Sequence, residues 1–541
     1  MSLIIGLDSG GTYTDAVLYD DETSMIWETA KELTTHDDLA EGIKLCLTKL
    51  INNRENLVID RIMISTTLAT NAVVEGNGQK VGVLYIGKES KGPLPSKSTA
   101  LIDGKINIKG HEEAPVNFDM LESAVEKMKG QVDAFVISGF MSIKNPIHEI
   151  QVKNRVLELT DIPVLCCHEL INNIGFHDRT VTAVLNARLM PIINNFLYSI
   201  DKVLKELNIQ TKVYIVRGDG SIVKASTIKT RPVETILSGP AASIVGARFL
   251  SGLDDAFILD MGGTTTDTAK MVNREVKVNK NGADISGWKT MIRSLDIKTF
   301  GIGGDSKISI DDENMITIGP KRCSPSCKGG DDLTPTDIVH FNNEFEFGDK
   351  SASLEKISEI ASKHSMNSLE LVLLLRDKIT EIIYHKCIAP YLERNMPVVA
   401  IGAPAGYWIK KTNSRHPFSL IIPDKYEVAN AVGAAVAEVT EREDGVIRMG
   451  DNNIGFYLYL RDERIFFTKK QDAISYAKES LCNTIRENIK KNDAIVTSIK
   501  IEDEDVYVKG VNGEDIYIET SIHAEATGTL KQFSERKRYY D

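Results

Sequence analysis

The residues best suited to chemistry are carboxylates and hydroxyls spaced around paired glycines. Between Ala256 and Ala269 an apolar run ends at Asp260, and Gly262, Gly263, Thr264, Thr265, Thr266 and Asp267 follow. The apolar run reads as a buried strand, and the glycines let the next backbone turn tightly and approach a ligand closely. Threonine hydroxyls and bare N–H groups then hold phosphate oxygens, and Asp260 at the strand end is placed to hold Mg²⁺ through water. Taken alone, a Gly-Gly after a strand is usually a hairpin turn. The chain repeats the pattern, however: the strand-like run from Leu3 to Leu7 leads into Asp8, Gly10, Gly11, Thr12, Thr14 and Asp15. Two copies about 250 residues apart predict two similar lobes facing each other across one nucleotide, each giving a β-hairpin to its phosphates.

That arrangement resembles the actin, sugar-kinase and heat-shock-chaperone ATPase superfamily. The resemblance implies an α/β fold with two ribonuclease H-like lobes around a nucleotide cleft. Strand and helix signals alternate through the first third: a helix over 38–50, strands over 61–65, 80–86 and 134–138, and a helix over 120–128. Such alternation predicts a mixed or parallel sheet with helices on its faces. One long helical stretch, 177–207, is a candidate bridge between lobes, and Pro191 is its strong breaker. Ser238 is expected to cap the small-residue helix behind it. A further strand, 397–401, ends in the loop 402–406, and a second small-residue helix follows over 429–437. Beyond Thr440 two short strands, a helix over 470–490 and a late hairpin suggest an α+β appendage. We therefore divide the chain into an N-terminal lobe (1–176), a second ATPase lobe (177–440) and a C-terminal appendage (441–541).

The chain has 541 residues, 42% hydrophobic and 26% charged, the composition of an ordinary globular protein of two or three domains. Its net charge of -12 argues against nucleic acid, because phosphate contacts need clustered Lys and Arg. No apolar run reaches the length of a membrane span, and the start enters a strand with no basic leader. Seven scattered cysteines suit a reducing cytoplasm better than a disulfide framework.

The run Thr66, Thr67, Leu68, Ala69, Thr70, Asn71, Ala72, Val73, Val74, Glu75 closely resembles the Thr-Thr-x-Ala-Thr-Asn-Ala-x-x-Glu signature of the hydantoinase A and 5-oxoprolinase family. Segments 8–15, 142–149, 231–242, 260–267 and 402–406 also match it, in family order, so the resemblance runs from about residue 3 to about residue 440. It implies ATP-driven opening of a hydantoin or 5-oxoproline ring, or carboxylation of a small ketone. By that resemblance Asp8 and Asp260 hold Mg²⁺ from opposite lobes, and Gly10, Gly11, Thr12, Gly262, Gly263 and Thr264 cradle the β- and γ-phosphates. Gly303 and Gly304 lie near the nucleotide, and Gly402, Ala403 and Pro404 border the adenine. Asp15 and Asp267 are next in line, the alternative being that each caps the strand or turn beside it. Thr67 and Asn71 reach phosphate or substrate, unless Asn71 caps a helix. Family members often act with a second, B-type component. No second half is expected within this chain, and the oligomeric state, including a homo-oligomer, stays open.

Three departures bear on the substrate. Asp305 stands where the family has glycine, Lys298 where it has histidine, and the stretch 217–221 matches imperfectly. Asp305 either joins the Mg²⁺ or substrate site, or turns to solvent or caps the turn with Ser306. Cys323, Cys327 and His340 invite a metal reading, but one C-x₃-C pair is weak, and a catalytic or packing thiol is the better expectation for Cys327. The pair Cys166 and Cys167 marks a buried strand, and His36, His111 and His364 read as surface residues. Other functional classes left open are a small-molecule kinase and a nucleotide-dependent switch or scaffold with no substrate of its own.

Overall fold

The computed structural model describes residues 2–531, apart from 36–38, 52–56, 172, 280–281, 343–347, 451–453, 462 and 510–512. His36 lies outside the described residues. Both hairpins form where the apolar runs predicted them. Leu3–Ser9 pairs antiparallel with Tyr13–Asp20, and Ala256–Met261 pairs antiparallel with Thr266–Val272. Each first strand is flanked on its other side by a parallel strand, Ile59–Thr66 in the first lobe and Val398–Ile401 in the second. The repeated motif therefore marks a repeated sheet.

The first sheet has six strands, in the order Ile222–Lys224, Lys212–Val216, Ile59–Thr66, Leu3–Ser9, Tyr13–Asp20, Met25–Leu33. The two strands at one edge, Ile222–Lys224 and Lys212–Val216, thus come from beyond the long helix. That helix runs unbroken from Phe176 to Glu206, through Pro191. Rather than bridging to the second sheet, it buries Val181, Val184, Leu185, Phe196 and Ile200 in the same core as Leu3, Ile5 and Leu7. A smaller parallel sheet, Val164–Cys166, Ala134–Gly139, Val81–Ile86, Ser98–Ile102, stands beside it.

Between the two hairpin-bearing sheets lie two short-side-chain helices, Ser238–Ser251 and Ala429–Val436. They approach at backbone distance: a Cβ at Gly246 would fall 1.8 Å from the Ala429 carbonyl oxygen, and one at Gly433 would fall 1.8 Å from that of Ala242. Ser238 does not cap its helix. Leu237 takes the N-cap position in the left-handed region, and the Ser238 hydroxyl donates to the Thr66 carbonyl at 2.8 Å. A tertiary partner outcompetes the local amide.

Beyond residue 438 an antiparallel sheet of five strands, from Val439–Met449 to Asp515–Leu530, packs against the helix Lys470–Lys491. Its apolar face continues the core that holds Ile4, Val17 and Ala431. Among the described residues no helix is long and apolar enough to cross a membrane.

Candidate functional site

Strand register decides which side chains meet. Asp8 sits opposite Asp15 across the first hairpin, and Asp260 opposite Asp267 across the second. The turns match as well: the Gly10 amide donates to the Tyr13 carbonyl at 3.0 Å, and the Gly262 amide to that of Thr265 at 2.9 Å. Each hairpin thus presents two carboxylates beside a glycine-lined turn, with Thr12 and Thr264 half-buried in those turns.

The partners of the four acids are polar but few. Asp8 accepts hydrogen bonds from the Ser65 hydroxyl and the Asn430 amide, both at 2.5 Å. Asp260 is hydrogen-bonded by Ser243. Asn430 and Ser243 belong to the two interlobe helices, so each helix supplies one polar group to the carboxylate of one hairpin. Asp15 pairs with Lys31 at 2.8 Å, and Asp267 accepts from Thr299 at 2.5 Å and from Thr265 at 3.4 Å. Burial pushes the carboxyls of Asp8 and Asp267 up to about 7, and raises those of Asp15 and Asp260. Asp8 is raised further by the charges of Asp15 and Asp260. Buried acids that repel one another suit a bound cation, which relieves both penalties at once.

The other expected residues converge on the same place. A Cβ at Gly11 would lie 3.3 Å from Asn71 Nδ2, and one at Gly239 would lie 3.0 Å from Thr67 Cγ2 and 4.0 Å from Asp8 Oδ1. Thr67, Asn71, Asp8 and the first turn therefore share one wall. Asn71 caps nothing: it lies inside the helix Leu68–Val74, and its amide donates to Thr67 Oγ1 at 3.4 Å. On the second lobe, the Gly304 amide donates to the Gly262 carbonyl at 3.0 Å, and a Cβ at Gly303 would lie 2.6 Å from the Gly263 carbonyl. Gly402 has φ +87°, and a Cβ there would meet Asp260 Oδ1 at 2.6 Å. Pro404 packs near Gly304, and Ala403 is exposed at the entry to the helix Ala405–Arg415. A side chain at Gly303 or Gly402 would collide with the backbone of the second hairpin, so these glycines let both loops close directly on it. The donor set, hard carboxylate oxygens with hydroxyls, is one that Mg²⁺ and phosphate take together.

Asp305 neither faces solvent nor caps the turn. Ser306 alone accepts from the Gly303 amide, at 2.8 Å. The Asp305 carboxylate is buried against Gly263, where a Cβ would meet its Oδ2 at 2.9 Å, and Thr336 donates to it at 3.2 Å. Arg322 and Lys328 approach it to 3.7 and 3.8 Å.

Several expectations are revised. Cys323, Cys327 and His340 form no ligand cluster among the described residues. Cys327 is buried, with its thiol pushed up to about 12 by burial, so it packs and does not react. His340 instead bonds Ser353 at 2.9 Å. The Thr334-to-Asp337 segment is a buckle: Asp337 accepts from the amides of Ser326, Cys327 and Thr334 and from two hydroxyls. The His148–Glu149 segment is likewise structural, with Glu149 accepting from the Gly139 amide at 2.7 Å and from His168 Nδ1 at 2.5 Å. Cys166 ends a strand, but Cys167 begins a helix. Lys298 lies over the ring of Tyr391 at 3.9 Å. His111 is exposed, whereas His364 is half-buried against Asn314. A cleft of about 910 Å³ opens elsewhere, beneath the C-terminal sheet. Its charged walls are already paired, Arg442 with Asp219 at 2.8 Å and Arg448 with Glu519 at 2.5 Å.

Sequence reading missed Ser65, Asn430, Ser243 and Thr299. Asn430 alone had a local signal, as a polar residue in the otherwise small, apolar run from Ala429 to Ala435.

Comparison with known proteins places the chain by sequence and by fold. The chain is 28% identical over 372 residues to caprolactamase subunit alpha from Pseudomonas jessenii, covering 62% of this chain and 53% of the relative. It spans between 53% and 59% of the length of the first curated relatives it matches. The solved structure of acetone carboxylase without nucleotide superposes with a TM-score of 0.77 at 17% identity, covering 98% of this chain and 88% of the other. That of the ATP-dependent caprolactamase from Pseudomonas jessenii gives 0.73 at 20% identity, with the same coverage. These two likenesses establish a shared fold. The hydantoinase/oxoprolinase N-terminal region matches residues 4–160 and the hydantoinase/oxoprolinase model matches residues 179–443, and the chain belongs to the hydantoinase/oxoprolinase family.

Proposed function

We propose that the chain is an ATP- and Mg²⁺-dependent enzyme that opens a cyclic amide, of the hydantoin or 5-oxoproline kind, by phosphorylating the amide oxygen. The observation that carries this reading is the meeting of Asp8, Asp15, Asp260 and Asp267, two from each lobe, beside two glycine-lined turns. Mg²⁺, held by Asp8 and Asp260, would neutralise charge on the transferring phosphoryl group.

The chain's own residues have separable tasks. Ser65 and Asn430 hold the Asp8 carboxylate, and Ser243 holds that of Asp260, each in place on its own hairpin. The turns at Gly10–Thr12 and Gly262–Thr264 offer backbone amides and hydroxyls to phosphate oxygens. Gly402, Ala403 and Pro404 border the adenine, and Thr67 and Asn71, on the wall shared with Asp8, reach phosphate or substrate. An amide is a poor electrophile; phosphorylating its oxygen activates the carbon, and water adds there. The ring C–N bond then breaks as the protonated amine leaves, and the acyl phosphate that remains is hydrolysed to carboxylate and phosphate. Positioning and charge neutralisation supply most of the effect. The same activation would serve a ketone oxygen, so ketones belong in the test.

A relative named as a subunit supports action with a B-type partner. All seven cysteines are unpaired, which supports a reducing, cytoplasmic setting. The test is ATP turnover against lactams, hydantoins and ketones, with and without a B-type protein encoded nearby. Stimulation by a lactam supports the reading; turnover indifferent to every lactam, with a ketone stimulating, replaces it with the carboxylase reading.

A further inference from the structure

We propose that Arg322 and Lys328 are phosphate-binding side chains of this particular chain, held over the cleft by Asp305 as their positioning residue. The inference rests on the nucleotide reading above and names further side chains that contact the phosphate chain.

Strand pairing puts these residues together. The hairpin of Ser306–Ile310 with Ile316–Arg322 sets Arg322 directly opposite Ser306, and so beside Asp305. Lys328 ends a short 3₁₀ turn, Ser326–Lys328, that the Asp337 carboxylate fastens by its backbone amides. Both cations then leave their own lobe. Arg322 donates to the hydroxyl of Thr12, and a Cβ at Gly11 would lie 3.8 Å from Arg322 NH1. The Lys328 ammonium lies 5.0 Å from the centre of the Tyr13 ring. Second-lobe cations therefore sit on the turn of the first-lobe hairpin, the very turn whose amides and hydroxyl are assigned to phosphate.

Charge gives the arrangement its sense. Beside the two turns Asp8, Asp15 and Asp267 are buried and Asp260 is half-buried, and a fifth acid, Asp305, faces Gly263 in the second turn. An additional carboxylate in that position repels a phosphate chain unless cations outweigh it. Arg322 and Lys328 do so two to one. Their distances to Asp305, 3.7 and 3.8 Å, are ion-pair distances beyond hydrogen-bonding range. Asp305 thus holds them electrostatically while leaving most of their donors free for another anion. A guanidinium carries five N–H donors in a fork that matches phosphate oxygens. The side chains of Arg322 and Lys328 are 39% and 23% exposed, which keeps both accessible to a ligand from solvent. The Asp305 carboxylate then has a task beside the second turn: it anchors the two cations.

The experiment is calorimetric titration of ATP, ADP and AMP into the full chain and into Arg322→Ala, Lys328→Ala, Asp305→Asn and the Arg322→Ala/Asp305→Asn double variant, each checked for a wild-type melting temperature. ATP binding by the wild type tests the nucleotide reading separately, since its absence there removes that reading before any variant is compared. We expect each cation variant to bind ATP at least tenfold more weakly, ADP less affected, and AMP unchanged. The Arg322→Ala loss should shrink at least threefold in the Asp305→Asn background, which a merely structural Asp305 would not produce. Unchanged ATP affinity in both cation variants, or equal losses for ATP and AMP, overturns the phosphate role. An undiminished Arg322→Ala loss without Asp305 overturns the positioning role.

Discussion

Gly433→Ala is expected to disable the site from a position that touches no ligand. The new methyl would fall 1.8 Å from the Ala242 carbonyl oxygen and 2.6 Å from the Gly246 amide nitrogen. Carbon and carbonyl oxygen normally approach to about 3.3 Å, so the two interlobe helices must part by roughly 1.5 Å. Both obstacles are backbone, so no side chain can rotate away. Overpacking of this kind costs ~1–3 kcal/mol, and the upper end applies. The displacement also reaches the acids. Asn430 rides on the same helix and bonds Asp8 at 2.5 Å, and the opposing helix carries Ser243 beside Asp260. Misplacement of about 1 Å in a positioning group costs up to ~10²-fold in rate. Thermal unfolding and titration of a non-hydrolysable ATP analogue measure the two effects, with Gly130→Ala, where nothing lies within 4 Å, as the neutral control. A Gly433→Ala protein with wild-type melting and wild-type affinity would refute the argument that this helix crossing sets the spacing of the two hairpins.

Asp8→Asn should cut Mg²⁺-dependent ATP hydrolysis by ~2–4 kcal/mol of barrier without loosening the fold, because burial already disfavours its charged form; steady-state turnover and a melting curve check both halves. Asp337→Ala leaves three amides and two hydroxyls in the buckle without their acceptor, and at ~1–3 kcal/mol for each group left unpaired it should be among the most destabilising single changes in the second lobe, read by denaturant unfolding. Burial raises the thiols of Cys323 and Cys327 to about 11 and about 12, so at pH 8 nearly all of each is the unreactive thiol; rapid native alkylation of Cys327, followed by mass spectrometry, would contradict the packing role. Nucleotide should draw the lobes together about the crossing of the two interlobe helices, lowering the radius of gyration in solution scattering; an identical radius with a tightly bound analogue would count against closure.

The hairpins were legible because their signal is local. An apolar run, an acid and two glycines specify strand and turn without help from distant residues, and repetition turned a weak motif into a strong one. The signature from Thr66 to Glu75 was equally readable, and its Thr67 and Asn71 do lie against the first turn. What escaped was everything set by pairing between distant segments. Lys212–Val216 joins the first sheet by parallel pairing with Ile59–Thr66 across a long crossover, which no local pattern announces. Ser238 carried a good capping residue's chemistry, yet the carbonyl of Thr66 claimed its hydroxyl. Asp305 stood out as an odd acid among glycines, but its meaning depended on Arg322 and Lys328, which only the intervening hairpin brings alongside.

The central claim is that hairpins from two lobes grip one nucleotide through Asp8 and Asp260. Its most direct test is calorimetric titration of a non-hydrolysable ATP analogue, with and without Mg²⁺, into the wild type, Asp8→Asn and Asp260→Asn. The account predicts one nucleotide per chain, and loss of the Mg²⁺-dependent part of the affinity in either single variant. Two nucleotides per chain, or an Asp260→Asn protein that keeps its full Mg²⁺ dependence, would contradict it.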